Sequence, residues 1–151
     1  MSTDNNCFFC NTKCNVFQTP DHHRLNTYSC DYCGEYILPE KGLGVICDIQ
    51  ESDKFKIACI LNERRLKGLG GITLSSKTDK EDKVLGLPHV SVDDILNEFP
   101  SRASDFLNRT LLNLKRLREQ PFEVIKLNMA IEGNRLHLFT SDQQGWYAFL
   151  R

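Results

Sequence analysis

The chain has 151 residues, with 19 Lys and Arg against 20 Asp and Glu, 40% apolar residues and seven cysteines. That length suits one domain, or one domain with a small satellite, and the apolar share excludes wholesale disorder. A formal net charge of −1 excludes a strongly basic protein that holds nucleic acid by bulk electrostatics, and no apolar run reaches the ~18 residues of a membrane span.

The polar start, Met1 to Asn6, carries no secretory signal, so a reducing, cytoplasmic setting is expected. Cys7-Phe8-Phe9-Cys10 and Cys30-Asp31-Tyr32-Cys33 then form two C-x2-C pairs separated by 19 residues. Two such pairs on tight turns can close a tetrahedron of thiolates around one Zn2+, which would be structural because four thiolates leave no open position for water. Asn11 and Gly34 each follow the second cysteine of a pair, where the backbone turns left-handed and these residue types tolerate it. Cys14, His22 and His23 are alternative ligands, with a polar loop tip as the plainer role for the two histidines. Residues 1–40 therefore read as a zinc ribbon, with strands expected around Val16-Phe17, Leu25 to Ser29 and Tyr36 to Leu38.

Further along, Asp53 to Lys67 reads as a helix with Ser52 as its N-cap and Gly68 as its stop. Its apolar residues lie on both sides, Ile57, Ile60 and Leu61 opposite Phe55, Cys59 and Leu66, so it is expected to be sandwiched between two layers, with Cys59 and Cys47 as core. Ile72 to Leu74 fits a short strand, and Ser75 to Lys83 a solvated loop. Ser91 is expected to cap a short helix that ends near Pro100. Ser101 to Glu119 is the clearest helix, with Ala103, Phe106, Leu107, Thr110, Leu111, Leu114 and Leu117 as its core stripe. Phe122 to Leu127 and Arg135 to Phe139 fit a C-terminal β-hairpin, with His137 facing outward, and Gln143 to Arg151 a final helix. That last segment rises to Trp146-Tyr147-Ala148-Phe149-Leu150, which reads as the front part of a longer protein.

The near-zero charge hides an uneven distribution. Residues 1–40 hold two bases and five acids, and residues 101–151 eight bases and five acids. Bases that could meet nucleic acid or a partner are Arg64 and Arg65, at the end of the first helix, and Arg102, Arg109 and Arg116, spaced seven apart on the long helix. Asp105 is placed to form ordinary helix ion pairs with two of them. There is no P-loop, dinucleotide fingerprint or nucleophile elbow, and His89 and His137 sit in no motif with Cys47 or Cys59, so no catalytic role is expected.

The first half, from the Cys7 pair through Tyr28-Ser29-Cys30, Cys33-Gly34-Glu35-Tyr36, Asn62-Glu63-Arg64-Arg65 and Gly71-Ile72-Thr73, resembles N-terminal zinc-ribbon modules of multidomain bacterial proteins, including antiphage-defence ones. The resemblance implies a sensor or adaptor that binds a protein partner, a ligand or a fused effector domain. The expected fold is α+β: a zinc ribbon at 1–40 packed on a mainly helical body at 41–151, winged-helix-like over 91–151, with a C-terminal β-hairpin and terminal helix. The expected function is a zinc-stabilised recognition module, with nucleic-acid binding through the basic helix and Arg64/Arg65 as the alternative.

Overall fold

A computed structural model describes residues 2–19, 25–39, 49–75, 83–84, 86–118, 125–128 and 132–140. Four strands open the chain: β1 (Ser2–Asn6), β2 (Lys13–Thr19), β3 (Leu25–Cys30) and β4 (Gly34–Pro39). They form an antiparallel meander, with Asn5 opposite Cys14, Val16 opposite Tyr28, and Tyr28 opposite Tyr36. In a meander, alternate turns lie at the same end of the sheet. The β1–β2 and β3–β4 turns are therefore neighbours, and the 19 residues between the cysteine pairs are one strand out and one strand back.

The sheet does not end at β4. Helix α1 (Glu51–Leu66) crosses over to β5 (Ile72–Ser75), which pairs parallel with β4. β7 (Leu87–Ser91) pairs parallel with β5, and the two-residue β6 (Lys83–Val84) flanks β7, giving the order β1-β2-β3-β4-β5-β7-β6. All four residues of β5 are buried, as suits an inner parallel strand covered on both faces.

The expected ribbon on a mainly helical body with a C-terminal hairpin is thus overturned. The cysteine-bearing strands are one side of a larger sheet, and the helices follow it. Residues 125–128 form no strand, and Glu132 to Leu138 are helical: α4 (Glu132–Arg135) runs into a 3-10 turn, Leu136–Leu138. The alternation of Leu136, His137 and Leu138 is misleading because this turn buries all three, and His137, expected outside, is 3% exposed. The expected final helix, with Trp146, falls outside the described residues, as do Cys47, His22 and His23.

Helix α1 is buried without a break from Ile57 to Glu63. A helix apolar on all sides needs cover on all sides, and α1 receives it from β4, the 3-10 turn, and the helices α2 (Val92–Asn97) and α3 (Ala103–Leu117). It begins earlier than Ser52: Gln50 is the N-cap, and its carbonyl accepts from the amides of Asp53 and Lys54. Ser91 caps α2 as expected from the sequence, its hydroxyl accepting from the Asp94 amide at 3.1 Å.

Two polar residues in the buried run require partners. Glu63 receives Arg109 through Nε and Nη2, at 2.9 and 3.1 Å, and Lys67 at 2.6 Å. Burial opposes its ionisation, but the hydrogen bonds from Arg109 and Lys67 outweigh it and hold the carboxyl below the usual carboxylate range. Asn62 accepts from Arg65 Nη2 at 3.2 Å, which directs its amide nitrogen to His137 Nδ1 at 3.0 Å. His137 Nδ1 must then accept, so the ring is neutral with its proton on Nε2. Asn113 on α3 donates to the His137 carbonyl at 3.3 Å.

These bonds account for the rotation of α3. Thr110 and Asn113 face inward, and Phe106 packs on Phe99 and Phe139 with ring centroids 5.5 and 5.7 Å apart. Leu107 and Leu111, expected in the core stripe, are instead 39% and 53% exposed.

Burial, and then the charge of Arg65, hold the His137 imidazole down at about 4. A folded-state value below the unfolded one, about 6.5, means that the unfolded chain binds the extra proton first. His137 therefore contributes stability that is full above about pH 6.5 and is lost as pH falls toward 4, by about 2–3 kcal/mol. An NMR titration should show the His137 ring taking its proton near pH 4, and a midpoint near 6.5 in the folded protein would refute the assignment.

Candidate metal centre

Cys7 and Cys10 lie on the β1–β2 turn, Cys30 ends β3, and Cys33 lies on the β3–β4 turn. Their four sulfurs lie within 4.8 Å of one another, and all four residues are buried. Sulfurs 2.3 Å from a tetrahedral zinc would be about 3.8 Å apart, and Cys10 and Cys30 are 3.5 Å apart. That gap is far beyond the ~2.05 Å of a disulfide, and the cysteines are free thiols. The donor set fits a single metal ion: four soft ligands, buried, and close enough together to share it.

Local backbone chemistry forms the two turns. Asn11 and Gly34 adopt positive φ, 57° and 75°, at the position after each pair. In the first turn the Cys7 amide donates to the Thr12 carbonyl at 2.7 Å and the Asn11 amide to the Cys7 carbonyl at 2.9 Å. In the second, the Cys33 amide donates to Cys30 Sγ at 3.4 Å.

Surrounding groups complete the site. The Tyr36 hydroxyl accepts from the Phe8 amide at 3.2 Å and lies 3.0 Å from Cys7 Sγ. Burial, then the charge of Cys7, push the Tyr36 phenol upward, so it keeps its proton and is the donor to the sulfur. The Thr12 hydroxyl lies 2.9 Å from Cys10 Sγ and 3.4 Å from Cys30 Sγ. Tyr36 is held by Tyr28, stacked at 4.9 Å, and by Phe9 at 5.2 Å.

Crowding couples the protons of the four thiols. Cys7 is lowered to about 7, chiefly through its hydrogen bond with Cys10, and Cys30 is held low, again chiefly by Cys10. Cys10 and Cys33 are pushed up, the first chiefly by Cys30 and the second chiefly by Cys10. Four thiolates in this space need a cation between them. Cys14 stands outside the group: burial, then the charges of Cys7 and Cys30, push its thiol up to about 12.

Helix α1 grips both turns. Lys54 lies 4.8 Å from the centre of the Phe8 ring, and Arg65 Nε donates to the Tyr32 carbonyl at 3.0 Å. On the far side of the second turn, a Cβ on Gly133 would come within 2.4 Å of the Tyr32 ring, so only glycine fits there.

The arginines picked out by sequence do not gather at one surface. Arg65 is spent on Tyr32 and Asn62, Arg109 on Glu63 and the Glu98 carbonyl, and Arg116 on Asn113 at 3.2 Å. Arg102 is the exposed N-cap residue of α3. Arg64 lies in the last turn of α1, and its Nε is buried with no acceptor among the described residues. Sequence reasoning missed Tyr36 and Thr12 as supports of the sulfurs. The signal available was their distance from the cysteines, two residues after Cys10 and three after Cys33.

Compared with protein families, curated proteins and solved structures, the chain matches none. The resemblance to bacterial zinc-ribbon modules therefore rests on the cysteine spacing and its neighbours alone.

Tyr36→Phe removes one hydrogen bond to a sulfur and orphans the Phe8 amide while keeping the ring stack. Metal affinity, measured by competition with a chromogenic chelator, should fall about 10–100-fold, the usual effect of losing a support outside the ligands themselves. Unchanged affinity would remove Tyr36 from the site.

Proposed function

We propose that Cys7, Cys10, Cys30 and Cys33 hold one structural Zn2+, and that the chain is a zinc-stabilised recognition module for a protein partner or ligand. The observation that carries the metal is the meeting of four buried sulfurs on two adjacent turns. Zinc suits four thiolates in a reduced setting better than the harder divalent ions. Bound there, it would supply a cross-link between two turns far apart in sequence and, with its shell closed, no position for a substrate. The residues that accept this role are the four cysteines, with Tyr36 and Thr12 reducing the charge on the sulfurs.

The recognition role is supported by what is left at the surface. Leu107, Leu111 and Leu112 expose large apolar side chains on α3. The nucleic-acid alternative is weakened because Arg65, Arg109 and Arg116 are engaged within the fold. The resemblance to sensor or adaptor modules of larger bacterial proteins agrees with recognition, and a link to defence has no further support.

Metal analysis should give about one zinc per chain, worth roughly 10–16 kcal/mol of apparent folding free energy near neutral pH. Cys30→Ser should lose the metal and the order of the β1–β4 meander in amide-exchange measurements, whereas Cys14→Ser should keep both. A metal-free protein with a disulfide among these cysteines would overturn the metal reading. Titration with DNA and RNA at low salt should show no binding, and affinity that falls steeply with salt would replace recognition of a protein or ligand by the nucleic-acid alternative.

A further inference from the structure

Helix α3 turns only part of its apolar surface inward. Its buried face is marked by Phe106, Thr110 and Asn113. At about 3.6 residues per turn, Ala103, Leu107, Leu111 and Leu114 form a separate line beside that face. Leu107 and Leu111 are 39% and 53% exposed, Ala103 is exposed and Leu114 is half-buried. The exposed polar residues Ser104, Asn108 and Lys115 border the line on its outer side, and Leu112 lies beyond Asn108, on another side of the helix. An apolar line with a polar rim is the pattern of a docking surface.

The course of the chain indicates the occupant. The last described residues, Phe139 and Thr140, lie against this same helix: the Phe139 ring is 5.7 Å from that of Phe106, and the Arg109 guanidinium is 5.2 Å from its centre. Residues 141–145, extended at about 3.3–3.6 Å each, reach about 17 Å. That exceeds the ~10–12 Å width of a helix with its side chains, so Trp146 can reach the leucine line from Thr140. In the helix that the sequence leads one to expect over Gln143 to Arg151, Trp146, Phe149 and Leu150 recur at i, i+3 and i+4 and share one side. Large rings on one helix and leucines beside a small Ala103 on the other are complementary for ridge-and-groove packing. Phe122 and Val124, which also follow α3, stand directly after Pro121 and form no such stripe.

We propose that the Leu107 and Leu111 face of α3 is the docking site for the chain's own residues 143–151, through Trp146, Phe149 and Leu150. This deepens the recognition reading and rests on it in one respect: a partner that takes Leu107 and Leu111 has to displace this segment first, whereas Leu112 stays at the surface throughout. The C-terminal segment then regulates access to the recognition face.

Trp146 is the one tryptophan of the chain, so its signals report on this segment alone. In the full zinc-loaded protein, NOEs should connect the Trp146 indole to the methyl groups of Leu107 and Leu111. Its fluorescence should be blue-shifted, and less quenched by acrylamide, than that of a peptide of residues 141–151. The double variant Leu107→Asp, Leu111→Asp should return both properties to the peptide values, while Leu112→Asp should change neither. Zinc content and the amide exchange of the β1–β4 meander, measured on each variant, separate lost docking from lost fold or lost metal. The readout needs no partner, so it fails or succeeds independently of the recognition reading. Trp146 emission equal to that of the peptide would overturn the proposal. So would NOEs to these leucines from Phe122 instead, or NOEs that appear only between a labelled and an unlabelled chain, which would make the occupant a second copy.

Discussion

Four thiol sulfurs within 4.8 Å of one another, out of water, are the constraint on which the rest of this chain turns. As thiolates they repel strongly at low dielectric, and as thiols they give the two turns little reason to meet. A divalent cation would resolve both, replacing repulsion with four bonds that join residue 7 to residue 33, and would leave the meander with one cross-linked end. Its other support comes from α1, which reaches the first turn through Lys54 and the second through Arg65.

That grip explains why α1 is buried along seven consecutive residues yet carries Asn62 and Glu63 among them. Hydrophobic cover alone would leave two polar groups stranded. The structure answers each with a specific partner from a distant part of the chain, His137 for Asn62 and Arg109 for Glu63. Replacing one member would strand the other, so these pairs fix which helix lies where more firmly than the leucines do. The same bonds connect the C-terminal turn to the metal end, because Arg65 holds both Asn62 and the Tyr32 carbonyl.

The cysteine turns were legible in the sequence because their chemistry is local. Cysteine spacing, a left-handed Asn11 and a left-handed Gly34 are all stated within a few residues. The Ser91 cap is legible for the same reason. What could not be read depends on partners remote in sequence. The continuation of the sheet through β5 and β7 depends on a crossover by α1, and four apolar or small residues such as Ile72 to Ser75 do not announce which strand they join. Leu136-His137-Leu138 alternates like a strand, but Asn62 and Asn113, 75 and 24 residues away from His137, draw all of it inside. The ribbon with a separate helical body failed on that point: local signals find turns and caps, whereas layers are decided by long-range pairs.

The basic stripe of α3 shows the same logic at the level of charge. Arg102, Arg109 and Arg116 repeat every seven residues, which on sequence alone resembles a surface prepared for phosphates. Two of the three instead complete the inward polar face: Arg109 closes on Glu63 and lies 5.2 Å from the centre of the Phe139 ring, and Arg116 holds Asn113, which holds His137. A cation committed to a buried carboxylate is not free to exchange it for a phosphate without leaving that carboxylate unpaired. The heptad spacing therefore does not mark one common surface: Arg109 meets Glu63 on α1, Arg116 meets Asn113 on its own helix, and Arg102 is exposed at the N-cap. Of the five arginines, Arg65, Arg109 and Arg116 are committed within the fold, while Arg102 is exposed at the N-cap of α3 and Arg64 keeps a buried Nε without an acceptor among the described residues.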